Sequence, residues 1–149
     1  MTTDIDWDHP TDPRPGSWQL DHVKQYVASH GSEGQYWNGT QTLLLTTVGR
    51  VSGKPVRTPL IYGEAEGRYL VVASKGGDSQ HPLWFRNLTA NPEVRIQVGA
   101  EILQGTARTA SAEERAAYWP LMVKHWPAYD EYQAKTDREI PIVVIEPVG

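Results

Sequence analysis

The densest group of basic residues without an acidic neighbour lies in the segment 49–63. It contains Arg50, Lys54 and Arg57, and its first half carries two glycines. Glycines let backbone amides point inward around an anion, and basic side chains complete such a site. We interpret the segment as a site for a small anion such as a phosphate. A solvated loop stays open as the alternative, because three basic residues in fifteen are common.

The loop sequence GRVSGKP is similar to the phosphate loop of nucleotide triphosphatases but does not meet its requirements. That motif needs four residues between its glycines and a Ser or Thr after its lysine. Three residues separate Gly49 from Gly53, and Pro55 follows Lys54. The spacing disfavours a nucleotide triphosphatase and is still compatible with phosphate binding.

A second group of residues suited to chemistry is aromatic. Trp126, Tyr129 and Tyr132 recur at intervals of three, on roughly one side of a helix, and Trp119 lies upstream. Core packing and the wall of a ligand pocket are both open interpretations. The two hydroxyls suit a pocket wall, because a buried hydroxyl needs a hydrogen-bond partner.

Several other kinds of chemistry have little support. The chain has no cysteine, which excludes disulfides, thiolate metal sites and a cysteine nucleophile. No two of its five histidines lie three or four residues apart, so we expect no metal. The net charge is −4 over residues 1–48, +3 over 49–95 and −3 over 96–149. A basic excess confined to the middle of the chain disfavours a nucleic-acid partner.

The secondary structure must bring these groups together. We expect an extended, acidic arm over 1–15 and a single domain over 16–149. Loops are expected over 31–39 and 75–80. Hydrophobic periodicity predicts helices and strands; the helices are 17–30, 82–89, 111–126 and 127–135, and the strands are 42–48, 56–64, 68–74, 94–98, 102–109 and 140–146. Ser111 and Glu114 form a capping box, and Pro120 predicts a kink or a division into two pieces.

This order of elements favours an antiparallel sheet. About six antiparallel strands with interspersed helices predict a small, closed or nearly closed barrel of the α+β or mainly-β class. Runs of alternating strand and helix are absent, which disfavours a Rossmann sheet.

Three segments carry a resemblance to a known family. TTVGRVSGKPVRTPL (46–60), VVASKGGDSQHPLWFRNLTANPEV (71–94) and WPAYDEYQAKTDREIPIVVIEP (126–147) resemble the deazaflavin-dependent nitroreductases, which use coenzyme F420. With their spacing they cover about residues 41–147. The resemblance implies a split β-barrel similar to flavin-binding oxidoreductases. It also implies hydride transfer from reduced coenzyme F420, an 8-hydroxy-5-deazaflavin, to a quinone or a nitroaromatic acceptor.

The resemblance implies roles for individual residues. The expected cofactor-binding residues are Arg50, Ser52, Gly53, Lys54, Arg57, Thr58, Pro59, Ala73, Ser74, Lys75, Gly76, Gly77, Trp84 and Tyr132. The expected substrate-binding residues are Tyr62, Trp126, Tyr129 and Tyr132. The expected catalytic residues are Ser74, Tyr129 and Tyr132. Ser74 would hydrogen-bond the developing oxyanion, and the tyrosines would position the acceptor and supply a proton. The family's nitroimidazole-activating member has tyrosine where this chain has Trp126, which disfavours nitroimidazole activation more than cofactor binding.

Two further functions are compatible with the same fold. One is a non-catalytic deazaflavin carrier, and the other is an FMN-binding relative. The sequence leaves open whether the chain forms a homodimer, as split barrels commonly do. The helix 17–30 is expected to pack on the barrel, with a cover over the pocket or peripheral contact with a membrane as alternatives. No apolar leader and no apolar run of about 18 residues is present, so we expect a cytoplasmic protein.

Overall fold

A computed structural model describes residues 5–33, 36–37, 40–77 and 80–148. The strands are β1 (Tyr36–Trp37), β2 (Thr40–Val48), β3 (Pro55–Ile61), β4 (Gly63–Ala65), β5 (Arg68–Val72), β6 (Glu93–Val98), β7 (Glu101–Thr109) and β8 (Ile142–Pro147). The helices are α1 (Trp18–Ala28), α2 (Leu83–Ala90), α3 (Ala112–His125) and α4 (Ala128–Ala134), with a 3-10 turn over Lys75–Gly77.

The strands form one curled antiparallel sheet with the order β1-β2-β6-β7-β8-β5-β4, and β3 pairs with the other side of β2. This arrangement confirms the predicted split β-barrel. The prediction of about six strands was low, because the described residues contain eight. One of the additional strands is β1, which lies inside the segment 31–39 that was expected to be a loop.

The other additional strand arises where the predicted strand 56–64 divides at Tyr62. Before this residue β3 pairs with β2, with Leu43 opposite Leu60; after it β4 pairs with β5. The apolar pattern continues across the division, so periodicity could not locate it. The predicted hairpin after β4 is confirmed, and Glu66 and Gly67 both have positive φ in its turn.

The core lies on both faces of β5 and β8, because successive strand residues point to opposite faces. Val71 and Val143 lie in the cluster inside the barrel. Leu70 and Val144 lie in a second cluster on the outer face, together with Met122 of α3 and residues of α4. The outer cluster therefore fixes α3 and α4 against the strand that ends just before Ser74.

The predicted capping box at the start of α3 is confirmed. Ser111 Oγ accepts from the backbone of Glu114 at 3.2 Å, and the Glu114 carboxylate accepts from the Ser111 backbone at 2.9 Å. Hydrogen bonds from Arg108 and from the Ser111 backbone lower the pKa of Glu114 to about 2. Of the two alternatives predicted at Pro120, the division was wrong, since α3 is continuous through this residue, and the kink stays a prediction.

Helix α1 begins at the predicted cap Ser17, whose Oγ accepts from the Leu20 backbone at 3.2 Å. Its buried face contains Val23 and Tyr26, which contact Leu44 of β2. The Tyr26 hydroxyl is anchored to backbone: it donates to Thr42 or Gln97 carbonyls at 3.1 and 3.2 Å and accepts from the Gly99 amide at 2.7 Å. These contacts hold α1 beside β2 and the end of β6.

Candidate functional site

A cavity of about 290 Å³ opens where β3, the end of β5, α1 and α4 meet. Its walls are predominantly apolar and aromatic, with a few polar groups, which is the usual character of a small-molecule site. It is lined by Trp18, His22, Thr42, Pro59, Leu60, Ile61, Val72, Ser74, Lys75, Pro82, Trp84, Trp126, Tyr129 and Tyr132. We call it the aromatic cavity.

The polar floor of the aromatic cavity follows the end of β5. The chain leaves the strand at Ser74 and enters the 3-10 turn, where Lys75 and Gly77 have positive φ. A Cβ on Gly77 would come within 2.7 Å of the Tyr132 carbonyl oxygen. Only glycine therefore permits this close packing between the turn and α4, which brings Ser74 and Tyr132 to one cavity.

Arg138 binds the backbone at the same end of β5. Its guanidinium donates to the carbonyl oxygens of Ala73 at 3.2 Å and of Ser74 at 2.8 Å. The Arg138 Nη1 also lies 3.1 Å from Nδ1 of His81, which must accept because arginine has only donors. Burial, followed by the charges of Arg138 and Arg86, lowers the pKa of His81. His81 is thus a neutral acceptor at pH 7.

The aromatic wall is formed by the end of α3 and by α4. Trp126 Nε1 donates to the hydroxyl oxygen of Tyr132 at 3.3 Å, so the Tyr132 hydroxyl acts there as an acceptor and keeps its own proton for a further partner. The rings of Tyr129 and Tyr132 meet edge to face at 6.2 Å. Burial, followed by the proximity of Tyr132, raises the pKa of Tyr129, which therefore stays protonated at neutral pH.

A second cavity, of about 540 Å³, continues from the aromatic cavity along β3. The two share Lys75, Pro82 and Trp84. Three cations, Arg14, Arg57 and Lys75, line the second cavity. We call it the cationic groove. Its remaining lining residues are Asp12, Pro13, Ser17, Gln19, Val56, Thr58, Pro82, Leu83, Trp84 and Asn87.

The structure brings together about half of the residues that the sequence suggested. The aromatic cavity contains Pro59, Ser74, Lys75, Trp84, Trp126, Tyr129 and Tyr132. The cationic groove contains Arg57 and Thr58, together with Lys75 and Trp84. Ala73 and Gly77, at the strand end and in the 3-10 turn, lie next to the cavity and do not line it, and Gly76 belongs to the same turn.

The remaining suggested residues lie elsewhere. Arg50, Ser52, Gly53 and Lys54 form an exposed turn between β2 and β3 that lines neither cavity. The turn is bonded to itself, since Ser52 Oγ accepts from the Lys54 amide at 3.2 Å. Tyr62 is only 3% exposed and lies in the barrel core, with its ring 5.8 Å from that of Tyr69.

Arg57 differs from the expectation that it has no acidic neighbour. Its guanidinium donates from Nε and Nη2 to the two carboxylate oxygens of Asp12, at 2.7 and 2.9 Å. The acid comes from the N-terminal arm, outside the segment 49–63. The complementary charges of residues 1–48 and 49–95 were the signal that could have suggested this pair.

Sequence reasoning also missed several residues at the cavities, among them Arg14 in the cationic groove. Trp18 and His22 of α1 line the aromatic cavity, so this helix forms one of its walls. Arg138 was within the quoted segment 126–147, but a lone arginine in a loop carries no spacing signal for the carbonyls that it binds. These contacts form only once the chain is folded.

The split barrel, with a cavity at the strand ends, is the fold of flavin-binding and deazaflavin-binding oxidoreductases. A model of the F420H(2)-dependent quinone reductase family matches residues 18–147. An F420H(2)-dependent quinone reductase of Mycobacterium tuberculosis is 37% identical over 128 residues, covering 83% of this chain and 86% of that protein. The chain belongs to the F420H(2)-dependent quinone reductase family and is an F420-dependent oxidoreductase.

The solved structures that are similar to this chain include the two that follow. The structure of an F420H2-dependent reductase, FDR-A, has a TM-score of 0.66 and 48% identity, covering 70% of this chain and 93% of its own. A structure described as a domain-swapped dimer has a TM-score of 0.69 and 41% identity, covering 85% of this chain and 96% of its own.

Proposed function

We propose that this chain transfers a hydride from reduced coenzyme F420 to a quinone. The main support is that Ser74, which follows β5, meets Tyr129 and Tyr132 of α4 in one aromatic cavity. This cavity continues into a groove with three cations. An aromatic cavity joined to a cationic groove suits a cofactor with a flat ring and an anionic tail.

The described residues fit such a cofactor. The aromatic side chains and the glycine-containing turn after Ser74 offer a surface on which a flat ring system can lie. Arg14, Arg57 and Lys75 offer positive charge for a phosphate or carboxylates. We propose that the backbone from Ser74 into the glycine-containing turn and the aromatic wall hold the ring, and that the side chains of Arg14, Arg57 and Lys75 hold the tail. When bound, the reduced deazaflavin supplies a hydride.

The chain's own residues then stabilise the reacting quinone and supply its proton. A hydride added to a quinone leaves negative charge on one oxygen, and one proton completes the hydroquinone. Tyr132 has a hydroxyl proton that its bond from Trp126 does not use, and Ser74 lies in the same cavity. We propose that both donate hydrogen bonds to this oxygen and that Tyr132 transfers the proton. Trp18 and His22 of α1 exclude water from one side.

The experiment that tests this proposal mixes the protein anaerobically with reduced coenzyme F420 and menadione. Formation of oxidised cofactor and menadiol, in a ratio of one to one and faster than without protein, supports hydride transfer. Tight cofactor binding without turnover identifies a carrier. Preference for FMN over the deazaflavin, measured by fluorescence titration, identifies an FMN-binding relative. A nitroaromatic compound in place of menadione tests the second acceptor class.

The assembly and the membrane contact have separate tests. The domain-swapped dimer at 41% identity supports a homodimer, which sedimentation of this chain at several concentrations checks. Within the described residues, no helix has both the length and the apolar character to cross a membrane. Helix α1 exposes 53% of Trp18, and flotation with quinone-containing vesicles tests for peripheral contact.

A further inference from the structure

The N-terminal arm is joined to the barrel by a single parallel β-bridge, in which Thr11 lies opposite Val56 of β3. The Thr11 amide donates to the Pro55 carbonyl oxygen at 2.8 Å, and the Arg57 amide donates to the Thr11 carbonyl oxygen at 2.9 Å. Residues 12–14 then continue along the cationic groove as one of its walls. The arm is therefore part of the groove into which the proposed function places an anionic tail.

Asp12 is the charged contact between this arm and the groove. Both its carboxylate oxygens accept from the Arg57 guanidinium, at 2.7 and 2.9 Å. Both side chains are largely covered, with 28% of Asp12 and 20% of Arg57 exposed. A two-pronged, partly buried pair of this kind is among the stronger polar contacts in proteins. Asp12 thus occupies the same guanidinium N–H donors of Arg57 that a phosphate or a ligand carboxylate would bind.

We propose that Asp12 is a specificity-determining residue that competes with anionic ligands for Arg57. A ligand's anionic group reaches this guanidinium when it displaces the Asp12 carboxylate and loosens the arm at Thr11. The competition lowers the affinity of the groove for simple anions, so only a ligand that also fills the aromatic cavity binds tightly. This inference deepens the proposed function and rests on it for the identity of the natural ligand.

Competition makes a prediction that simple anchoring does not. If Asp12 only anchored the arm, its neutralisation would loosen the arm and leave anion binding unchanged or weaker. If Asp12 competes, neutralisation strengthens anion binding, because Arg57 gains a free fork and a negative charge leaves the groove. The gain must decrease with added salt, since screening shortens charge interactions to about 10 Å at 0.1 M.

The test uses inorganic pyrophosphate as the probe and the full-length chain. Calorimetry at low salt compares the wild type with Asp12→Asn, Arg57→Gln and the matched control Asp6→Asn. The control substitution removes the same charge from the same arm, but the Asp6 carboxylate is hydrogen-bonded to His9 at 2.9 Å and not to Arg57. We expect Asp12→Asn to bind pyrophosphate about tenfold more tightly, Asp6→Asn to match the wild type within about twofold, and Arg57→Gln to bind at least tenfold more weakly.

A second measurement needs no variant. Hydrogen exchange of the Thr11 and Arg57 amides, measured by NMR with and without pyrophosphate, reports whether the arm is displaced. Faster exchange with the anion supports competition. Unchanged or slower exchange, or an Asp12→Asn variant that binds pyrophosphate no better than the wild type, overturns it. Neither measurement uses the deazaflavin or a quinone, so a failure here is distinguishable from a failure of the proposed activity.

Discussion

The Tyr132→Phe variant tests the proposed proton donor. The substitution removes one hydroxyl and keeps the ring that meets Tyr129 at 6.2 Å. The hydrogen bond lost is the one from Trp126, which is long at 3.3 Å and only partly buried. Its loss should therefore lower the free energy of unfolding by no more than about 1 kcal/mol. The folded state and the shape of the cavity should be retained.

The effect on catalysis should be larger than the effect on stability. If the Tyr132 hydroxyl donates to the quinone oxygen only as charge develops, its loss lowers kcat with little change in cofactor affinity. One such hydrogen bond corresponds to about a 10- to 100-fold decrease, at about 1.4 kcal/mol for each tenfold. The assay is the anaerobic rate with menadione, beside a fluorescence titration for the dissociation constant of the cofactor.

Tyr118→Phe is the matched control, because this tyrosine lies on α3 and donates to Glu66 at 3.2 Å outside both cavities. It should turn over menadione at the wild-type rate. Full activity in Tyr132→Phe would refute the proton-donor role and make Tyr132 a packing residue. Loss of cofactor binding with a normal kcat at saturation would move Tyr132 into the cofactor site, and water would then have to supply the proton.

Three further predictions concern the other groups at the site. Ser74→Ala should lower kcat with menadione about 10-fold and leave cofactor affinity within about twofold, since one neutral donor is lost from the transition state; equal kcat would exclude the hydroxyl. Lys54→Ala should leave cofactor affinity at low salt nearly unchanged, because Lys54 lines neither cavity, whereas Arg57→Gln should weaken it at least about tenfold; equal titrations of both variants would contradict this placement. Burial, followed by the charges of Arg138 and Arg86, lowers the pKa of His81 below its ordinary value of 6.5, so the unfolded chain takes up this proton first as the pH falls. The uncharged state of His81 in the folded chain therefore contributes stability above about pH 6.5 that is lost as the pH falls. Thermal unfolding of the wild type should therefore shift downward below that pH more than unfolding of His81→Asn, and parallel shifts would contradict it.

Local signals predicted the local structure of this fold well. Ser17 and Ser111 correctly predicted the starts of two helices. This worked because an N-cap side chain bonds to a backbone amide only two or three residues further along the chain. The division at Tyr62 was not predictable in this way. The division arises because the chain pairs with β2 before Tyr62 and with β5 after it. The apolar pattern of the sequence is the same whether a strand is continuous or changes its partner at such a residue.

The candidate site shows the same contrast. Helical spacing singled out Tyr129 and Tyr132, and the family resemblance singled out Ser74. Asp12 and Arg57 are 45 residues apart, and their pairing depends on the arm lying beside β3. Arg138 and Ser74 are 64 residues apart, and their contact depends on the loop before β8. Such contacts are products of tertiary structure, which spacing along one sequence does not encode.

We have proposed that reduced coenzyme F420 transfers a hydride to a quinone within the aromatic cavity. The most direct measurement is a single-turnover experiment with reduced coenzyme F420 that carries deuterium at the transferred position, followed by menadione under anaerobic conditions. We expect rapid oxidation of the bound cofactor, one menadiol for each cofactor, and a slower rate for the deuterated cofactor than for the protiated one. Bound cofactor that stays reduced when menadione is added would contradict the proposal.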